Sequence, residues 1–91
     1  MNDMYIGKVI GNVVATTKDE SLHGKKMLIV EKLNAQLETE KTTEVAIDTV
    51  GAGNGETVLI TKGSAARVIT GEHSAVDTAI VAIIDHIEVD K

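Results

Sequence analysis

Hydrophobic and polar residues alternate along most of this chain, with the period of two that is typical of β-strands. The alternation is interrupted by polar or glycine-rich segments, which are typical of turns and surface loops. The pattern predicts five strands, over residues 5–15, 26–33, 43–50, 57–61 and 78–89.

Glycine divides the first predicted strand at Gly7 and Gly11, positions where a strand can bend sharply. A long bent strand suits a small closed barrel better than a flat sheet. The last predicted strand is continuously apolar over residues 79–84. This run indicates burial on both faces, one against the barrel and the other against a neighbouring subunit.

A short helix is predicted between the fourth and fifth strands. Ser64 is a suitable N-cap, residues 65–70 form the helix, and Gly71 ends it. The lack of long helices between the strands argues against a parallel α/β fold. The sequence therefore predicts one all-β (mainly β) domain over residues 1–91, a five-stranded OB-like β-barrel with one short helix.

The chain is short for an independent fold. A protein of 91 residues buries only about 60–65% of the surface that its unfolded form exposes, so its own core is thin. It has no cysteine, which excludes disulfides and thiolate metal sites, and His23, His73 and His86 are too widely spaced to indicate a metal site. Association with further subunits is the remaining means of stabilisation.

Charge and aromatic content argue against a nucleic-acid partner. The formal net charge is −5 and Tyr5 is the only aromatic residue, whereas a nucleic-acid-binding surface needs basic side chains and stacking rings. The longest apolar run, residues 79–84, is far below the ~20 residues that cross a bilayer, and the first residues do not have the pattern of a secretory signal. We therefore expect a soluble, intracellular protein with no membrane partner.

The glycine-rich segment at residues 51–55 has some features of a phosphate-binding loop. Such loops lead directly into a helix, but residues 56–62 have the pattern of a strand. A tight turn that packs closely against other backbone, including that of symmetry mates, explains the glycines better. Ser64 lacks the Gly-x-Ser-x-Gly context of a nucleophile. The sequence thus predicts no catalytic residue, no metal site and no cofactor.

Three carboxylates and one arginine remain as candidates for a catalytic or binding role. Asp48, Asp77 and Asp85 lie within or beside apolar segments, so partly buried and partnered carboxylates are expected there. A hydrolase with paired carboxylates stays open, although so small a domain offers little room for a cleft. Arg67, the only arginine, fits either a specific bidentate ion pair or an exposed position on the helix.

Two motifs stand close together in the second half of the chain: Gly-Ala-Gly-Asn-Gly-Glu at residues 51–56 and Gly-Ser-Ala-Ala-Arg at residues 63–67. Together with residues 6–16, 27–30 and 76–85, they resemble the pentameric vertex proteins of bacterial microcompartment shells, the EutN/CcmL family. One departure is Ala75, because members of the family commonly carry a proline before the Val-Asp pair. The resemblance covers essentially the whole chain.

The resemblance implies a non-enzymatic structural protein of the bacterial cytoplasm. It would form a homopentamer through head-to-tail contacts and cap the vertices of a polyhedral shell that is otherwise tiled by hexameric shell proteins. By resemblance, the residues expected at or near subunit contacts are Gly51, Ala52, Gly53, Gly55, Glu56, Ser64 and Arg67. The alternative is an OB-type binding module for a small ligand or oligonucleotide, which the fold permits but the charge and aromatic content oppose.

Overall fold

The computed structural model describes residues 3–16, 18–71 and 76–90, apart from the side chains of Asp3 and Ile69. Within these residues, a closed barrel is formed by strands in the order β1-β2-β3-β5-β4. The strands are β1 (Asp3–Asn12), β2 (Lys26–Leu33), β3 (Thr39–Asp48), β4 (Thr57–Lys62) and β5 (Thr78–Ile83). A 3-10 turn (Glu20–Leu22) precedes β2, and helix α1 (Ser64–Thr70) connects β4 to β5. The predicted fold, a five-stranded barrel with one short helix, is confirmed.

The barrel closes through one short parallel contact. β1 lies between β2 and β4 and is antiparallel to both, and β2 continues into the β2–β3 hairpin. β3 pairs with β5 in parallel only at Ile47 with Ala79 and at Asp48 with Ile80. The rest of β3 pairs with β2 alone, so the segment that begins at Thr39 extends from the barrel as one arm of a hairpin.

The core lies inside the barrel and is built by the alternation of the strands. Inward-facing residues from all the strands, together with Ala52 from the turn before β4, form one buried apolar cluster. Its members are Val9, Leu28, Val30, Ala46, Ala52, Val58, Ile60 and Ile80. Tyr5, the single aromatic residue, packs against this cluster from one end.

The two glycines of β1 have different structural roles. At Gly7 a Cβ atom would lie 2.6 Å from Ile60 Cδ1 and 3.1 Å from the carbonyl oxygen of Glu31, so no side chain fits between β1 and its neighbours there. Gly11 follows a register shift in the pairing of β1 with β2, where Ile10 is inserted as an extra residue. This bulge bends β1 and allows the sheet to close.

A second, smaller apolar layer lies outside the barrel. Ile47 and Ala79 are cross-strand neighbours on the outer face, yet both are buried. α1 packs against β4 and β5, and its Ala66 is fully buried. The helix therefore covers part of the outer face that would otherwise be exposed.

Several predicted boundaries are wrong. β1 ends at Asn12 instead of residue 15, β3 begins at Thr39 instead of residue 43, and β5 ends at Ile83 instead of residue 89. The early end of β5 has a clear cause: the amide of Ile84 still donates to the carbonyl of Thr57, but β4 begins at Thr57 and offers no partner further on.

The predicted N-cap of α1 is also wrong. The helix begins at Ser64 itself, and the cap position is Gly63, whose carbonyl accepts from the Arg67 amide at 3.2 Å. Gly63 has φ of 78° and ψ of −147°, a conformation that favours glycine. The chain therefore turns at the glycine, one residue earlier than the serine pattern predicts. The predicted loop at residues 72–74 lies outside the described residues.

Among the described residues, the only helix of more than one turn is α1, and none is long or apolar enough to span a membrane.

Candidate subunit interface

The glycine-rich turn before β4 is organised by a buried carboxylate. Asp48, at the end of β3, has a side chain that is only 1% exposed. Its Oδ1 accepts from the amide of Val50 at 3.1 Å and its Oδ2 accepts from the amide of Ala52 at 3.0 Å. Lys26 Nζ lies 3.6 Å from Asp48 Oδ2 and donates to the carbonyl of Ala52 at 3.0 Å. The expectation of a buried, partnered carboxylate is thus met at Asp48.

The second half of the turn is fixed by Glu56 and by β1. Glu56 Oε1 accepts from the amide of Gly53 at 2.7 Å, and the amide of Gly55 donates to the carbonyl of Val9 at 2.8 Å. Gly51 and Gly55 have φ of 82° and 87°, in the left-handed region that favours glycine. The turn therefore has one defined shape, held by side-chain and backbone hydrogen bonds, and it presents Gly51 and Gly55 on the surface.

Helix α1 presents a second group of the predicted residues. Ser64 and Arg67 are exposed, and Arg67 Nη2 lies 3.9 Å from Asp77 Oδ2. Asp77 also accepts the amide of Gly63 through its backbone carbonyl, which holds the segment before β5 against the start of the helix. At the other end of the helix, Lys25 Nζ donates to the carbonyl of Thr70. Arg67 is therefore exposed on the helix, as one interpretation expected, and its contact with Asp77 of the same chain is not the bidentate ion pair of the other.

The structure places the seven predicted interface residues in two groups, at opposite ends of β4. Gly51 to Glu56 precede β4, and Ser64 and Arg67 follow it. Because β4 has six residues, the two groups are separated by about 20 Å. The side chain of Ala52 packs inside its own barrel, so Ala52 contributes to either surface only through the shape of the turn.

We define the two groups by their exposed or partly exposed residues. The turn patch consists of Val50, Gly51, Gly55 and Glu56, and the helix patch consists of Ser64, Arg67 and Val68. The two valines were not predicted as interface residues. Val68 is 87% exposed and Val50 is 39% exposed, although both are apolar. No signal in the sequence singles them out, because single apolar residues are normal on a protein surface.

Further apolar side chains are exposed on the outer face of the barrel. Ile29 on β2 lies over Gly11 of β1 and pairs with Val45 of β3, and both Ile10 and Val45 are exposed. Antiparallel strands usually present polar residues on a solvated face. Alternation along β1 places Ile10 on the face opposite Val9, but it does not tell whether that face is covered.

A cluster of titratable side chains closes the end of the barrel where Tyr5 lies. Tyr5 donates its hydroxyl hydrogen to Glu44 Oε1 at 2.7 Å, Lys62 binds Glu44 Oε2, and Lys32 Nζ lies 5.2 Å from the centroid of the Tyr5 ring. Burial, together with the hydrogen bond to Glu44, raises the pKa of Tyr5. Burial raises the pKa of Glu44, but hydrogen bonds from Lys62 and Tyr5 outweigh it, so this pKa is lowered. The cluster therefore joins β1, β3 and β4 through a charged hydrogen-bond network.

The carboxylates considered for hydrolysis do not form a pair. Asp48 is buried in the turn, Asp77 faces Arg67, and Asp85 is exposed after β5. Within residues 3–16, 18–71 and 76–90, no three side chains of the ligand types gather as a metal site would require. Nothing in this arrangement points to a particular reaction.

The fold and its surface define a class: a small OB-like β-barrel that carries two separate surface patches, one on a rigid glycine turn and one on a short helix. Residues 4–85 match the family model described as ethanolamine utilisation protein EutN/carboxysome. The chain belongs to this EutN/CcmL family, as the motifs had indicated.

Two relatives agree with this assignment. The chain is 54% identical over 86 residues to the bacterial microcompartment shell vertex protein GrpN of Rhodospirillum rubrum, a match that covers 93% of this chain and 97% of GrpN. It is 47% identical over 87 residues to the shell vertex protein PduN of Salmonella typhimurium, covering 90% of this chain and 96% of PduN.

The solved structures give the same result. The GrpN pentameric microcompartment shell protein of Rhodospirillum rubrum superposes with a TM-score of 0.87 at 50% identity, covering 94% of this chain and 99% of that chain. The barrel described above is therefore also the subunit fold of GrpN, which is a pentameric shell protein.

Proposed function

We propose that this protein is a structural subunit of a bacterial microcompartment shell, and that five copies form a ring that caps each vertex of the shell. The observation that carries the proposal is the nearly full-length similarity to shell vertex proteins, combined with the close superposition on a pentameric shell protein. The match to the family model covers residues 4–85, which include both the turn patch and the helix patch.

The physical role of such a ring is geometric. A flat hexagonal layer does not close on itself, and a closed shell needs five-fold positions that introduce curvature. We propose that the ring fills these positions and that its outer edges meet hexameric shell proteins. In this role the protein performs no catalysis and acts in the cytoplasm, as part of the shell.

Two features of the subunit support association. The accessible surface of the isolated chain is 5810 Å², whereas a compact monomer of 9.6 kDa is expected to expose about 5,100 Å². Large apolar side chains, including Val68 and Met4, are exposed on this surface. Both features are expected of a subunit whose full burial is reached only in an assembly.

The alternative of an OB-type binding module is not favoured. Such modules bind nucleic acid with stacking rings on a basic surface. Here the only aromatic ring packs against the barrel core and donates a hydrogen bond to Glu44, and the net charge is −5.

The proposal is tested by native mass spectrometry and by co-production with hexameric shell proteins. We expect a species of five subunits at micromolar concentration, and closed polyhedral shells in electron micrographs when the chain is present. Without it, we expect shells with open vertices or extended sheets and tubes. A protein that stays monomeric, and shells that close equally well without it, would contradict the proposal.

A further inference from the structure

The helix patch and the turn patch carry opposite charges. In the helix patch the charged residue is Arg67, the only arginine of the chain. Its side chain is 49% exposed, and the ion pair with Asp77, at 3.9 Å, involves one guanidinium nitrogen. A guanidinium has five N–H donors, so this single contact with Asp77 does not use all the donors of Arg67.

In the turn patch the charged residue is Glu56. One carboxylate oxygen, Oε1, accepts from the amide of Gly53, which fixes the direction of the side chain. The residue is partly exposed, and a carboxylate has about four acceptor positions. Glu56 is therefore preoriented by its own turn and still able to accept from a further donor.

Each patch also carries an exposed valine. Val68 follows Arg67 directly on α1, and Val50 lies in the turn whose other end is Glu56. An ion pair flanked by an apolar contact that excludes water is stronger than a fully solvated ion pair. The two patches thus match each other in charge and in apolar character.

The location of the patches indicates how they can meet. They lie about 20 Å apart, at the two ends of β4, so Arg67 does not reach Glu56 of its own chain. A head-to-tail ring requires that each subunit use two different patches, one for each neighbour. Contact of a patch with its own copy would instead bring Arg67 against Arg67, or Glu56 against Glu56.

We propose that the helix patch of one subunit binds the turn patch of the next, with the guanidinium of Arg67 against the carboxylate of Glu56 and Val68 against Val50. The occupant of each patch is a second copy of this chain. This inference rests on the proposed function, because it identifies the surfaces through which the ring closes.

A charge swap tests the contact. Arg67→Glu alone brings two carboxylates together at every contact, and Glu56→Arg alone brings two guanidinium groups together. We expect each single variant to raise the concentration at which half of the ring dissociates by about tenfold or more, measured by sedimentation or mass photometry. The double variant restores opposite charges at every contact, so we expect it to recover most of the lost association.

Milder variants and matched controls separate the contact from damage to the subunit. Glu56→Gln keeps an oxygen that accepts the Gly53 amide but removes the charge, and Arg67→Gln removes the other charge. The controls are Lys41→Glu in the β2–β3 hairpin and Glu88→Arg after β5, since both residues are exposed and lie outside the two patches. The circular dichroism spectrum of each variant checks that the barrel is folded.

Each outcome is decisive for one of the two proposals. If the wild-type chain forms a pentamer and the single variants dissociate no more readily than the controls, the Arg67–Glu56 contact is wrong while the proposed function stands. If the singles weaken the ring and the folded double variant does not recover, the pairing is likewise wrong. If the wild-type chain forms no ring at all, the proposed function itself fails.

Discussion

Asp48 shows how one residue fixes the shape of a surface turn. Its buried carboxylate binds the amides of Val50 and Ala52, so the path of the chain through the glycine turn depends on it. A buried acceptor with such donors is costly to remove, because the donors are left without partners. The sequence had indicated a partnered carboxylate here, but not which groups it would bind.

We therefore expect Asp48→Asn to destabilise the subunit by about 3 kcal/mol. In asparagine an NH2 group replaces one carboxylate oxygen, so one of the two backbone N–H groups would face a donor instead of an acceptor. Urea denaturation followed by circular dichroism measures the change. The control is Lys26→Met, because the Lys26 side chain is 55% exposed and its loss is expected to cost about 1 kcal/mol or less. Equal losses for the two variants would show that the carboxylate does not organise the turn.

The Tyr5–Glu44–Lys62 cluster predicts a dependence of stability on pH. The pKa of Glu44 is lowered in the folded protein, so the unfolded state binds a proton more readily. Its contribution is fully present above the ordinary Glu pKa of 4.5 and is lost as the pH falls below that value towards the folded pKa. We expect the free energy of unfolding to decrease over this acidic range.

Glu44→Gln and Tyr5→Phe test the origin of that dependence. Glu44→Gln removes the titrating group, so the acidic decrease should become shallower, and the variant should be less stable than wild type at pH 7. Tyr5→Phe removes a hydrogen bond to a charged group, with an expected cost of about 1–2 kcal/mol at pH 7. An unchanged acidic slope in Glu44→Gln would assign the pH dependence to other carboxylates.

At the scale of elements, the β2–β3 hairpin differs most from the sequence prediction. β3 begins earlier than predicted and pairs with β2 beyond the barrel, where Leu33 lies opposite Thr39. Between this pair and the pair of Glu31 with Thr43, β2 has one residue, Lys32, whereas β3 has three, residues 40–42. The extra residues form a bulge in β3. Lys41 has φ of 57° at this bulge. In this part of β3 the edge away from β2 has no partner strand among the described residues. A bulge and charged side chains at such an edge disfavour pairing with a further strand.

The turn of the hairpin contains a residue that is unfavourable for its conformation. Leu37 has φ of 64°, and its side chain is 49% exposed, so it does not anchor the loop to the core. We expect Leu37→Gly to stabilise the subunit by about 0.5–1 kcal/mol, because glycine adopts positive φ without the steric penalty.

Thermal denaturation measures this gain, and Leu37→Ala is its matched control. Alanine removes the exposed apolar side chain but keeps the Cβ that opposes positive φ, so no comparable gain is expected. If both variants are equally stabilising, the effect comes from the lost leucine side chain instead of the backbone conformation.

At the scale of the whole molecule, the thin core and the large surface predict that stability depends on association. If the ring unfolds to separate chains, its apparent stability rises with protein concentration. We expect the Tm to increase by several degrees over a roughly hundredfold increase in concentration. Differential scanning calorimetry measures the change.

The dissociating variant Arg67→Glu supplies the comparison for this measurement. Its Tm should lie below that of the wild-type chain at the same concentration and should change less with dilution, because less of it is assembled. A wild-type Tm that stays constant over the whole concentration range would show that the isolated barrel is as stable as the ring.

Charge also acts at this scale. Five copies of a chain with net charge −5 carry 5 × −5 = −25, so the ring is stable only if attractive contacts outweigh this repulsion. The proposed attraction between Arg67 and Glu56 at each junction is one such contact.

The sequence alone determined the class of fold and the family. Period-two alternation identified the strands, glycine marked the bends and the turn, and the paired motifs at residues 51–56 and 63–67 were specific enough to indicate vertex proteins. The strands and turns are local features that follow from the conformational preferences of neighbouring residues, whereas the family was indicated by the resemblance of the two motifs.

The tertiary structure decided what depends on partners distant in sequence. The ends of the strands, the cap at Gly63, the burial of Asp48 and the separation of the interface residues to the two ends of β4 follow from pairing across the barrel. Alternation tells which side chains share a face, but only the packed chain shows which face is covered. For that reason Val50 and Val68 emerged as candidate contacts from the structure and not from the sequence.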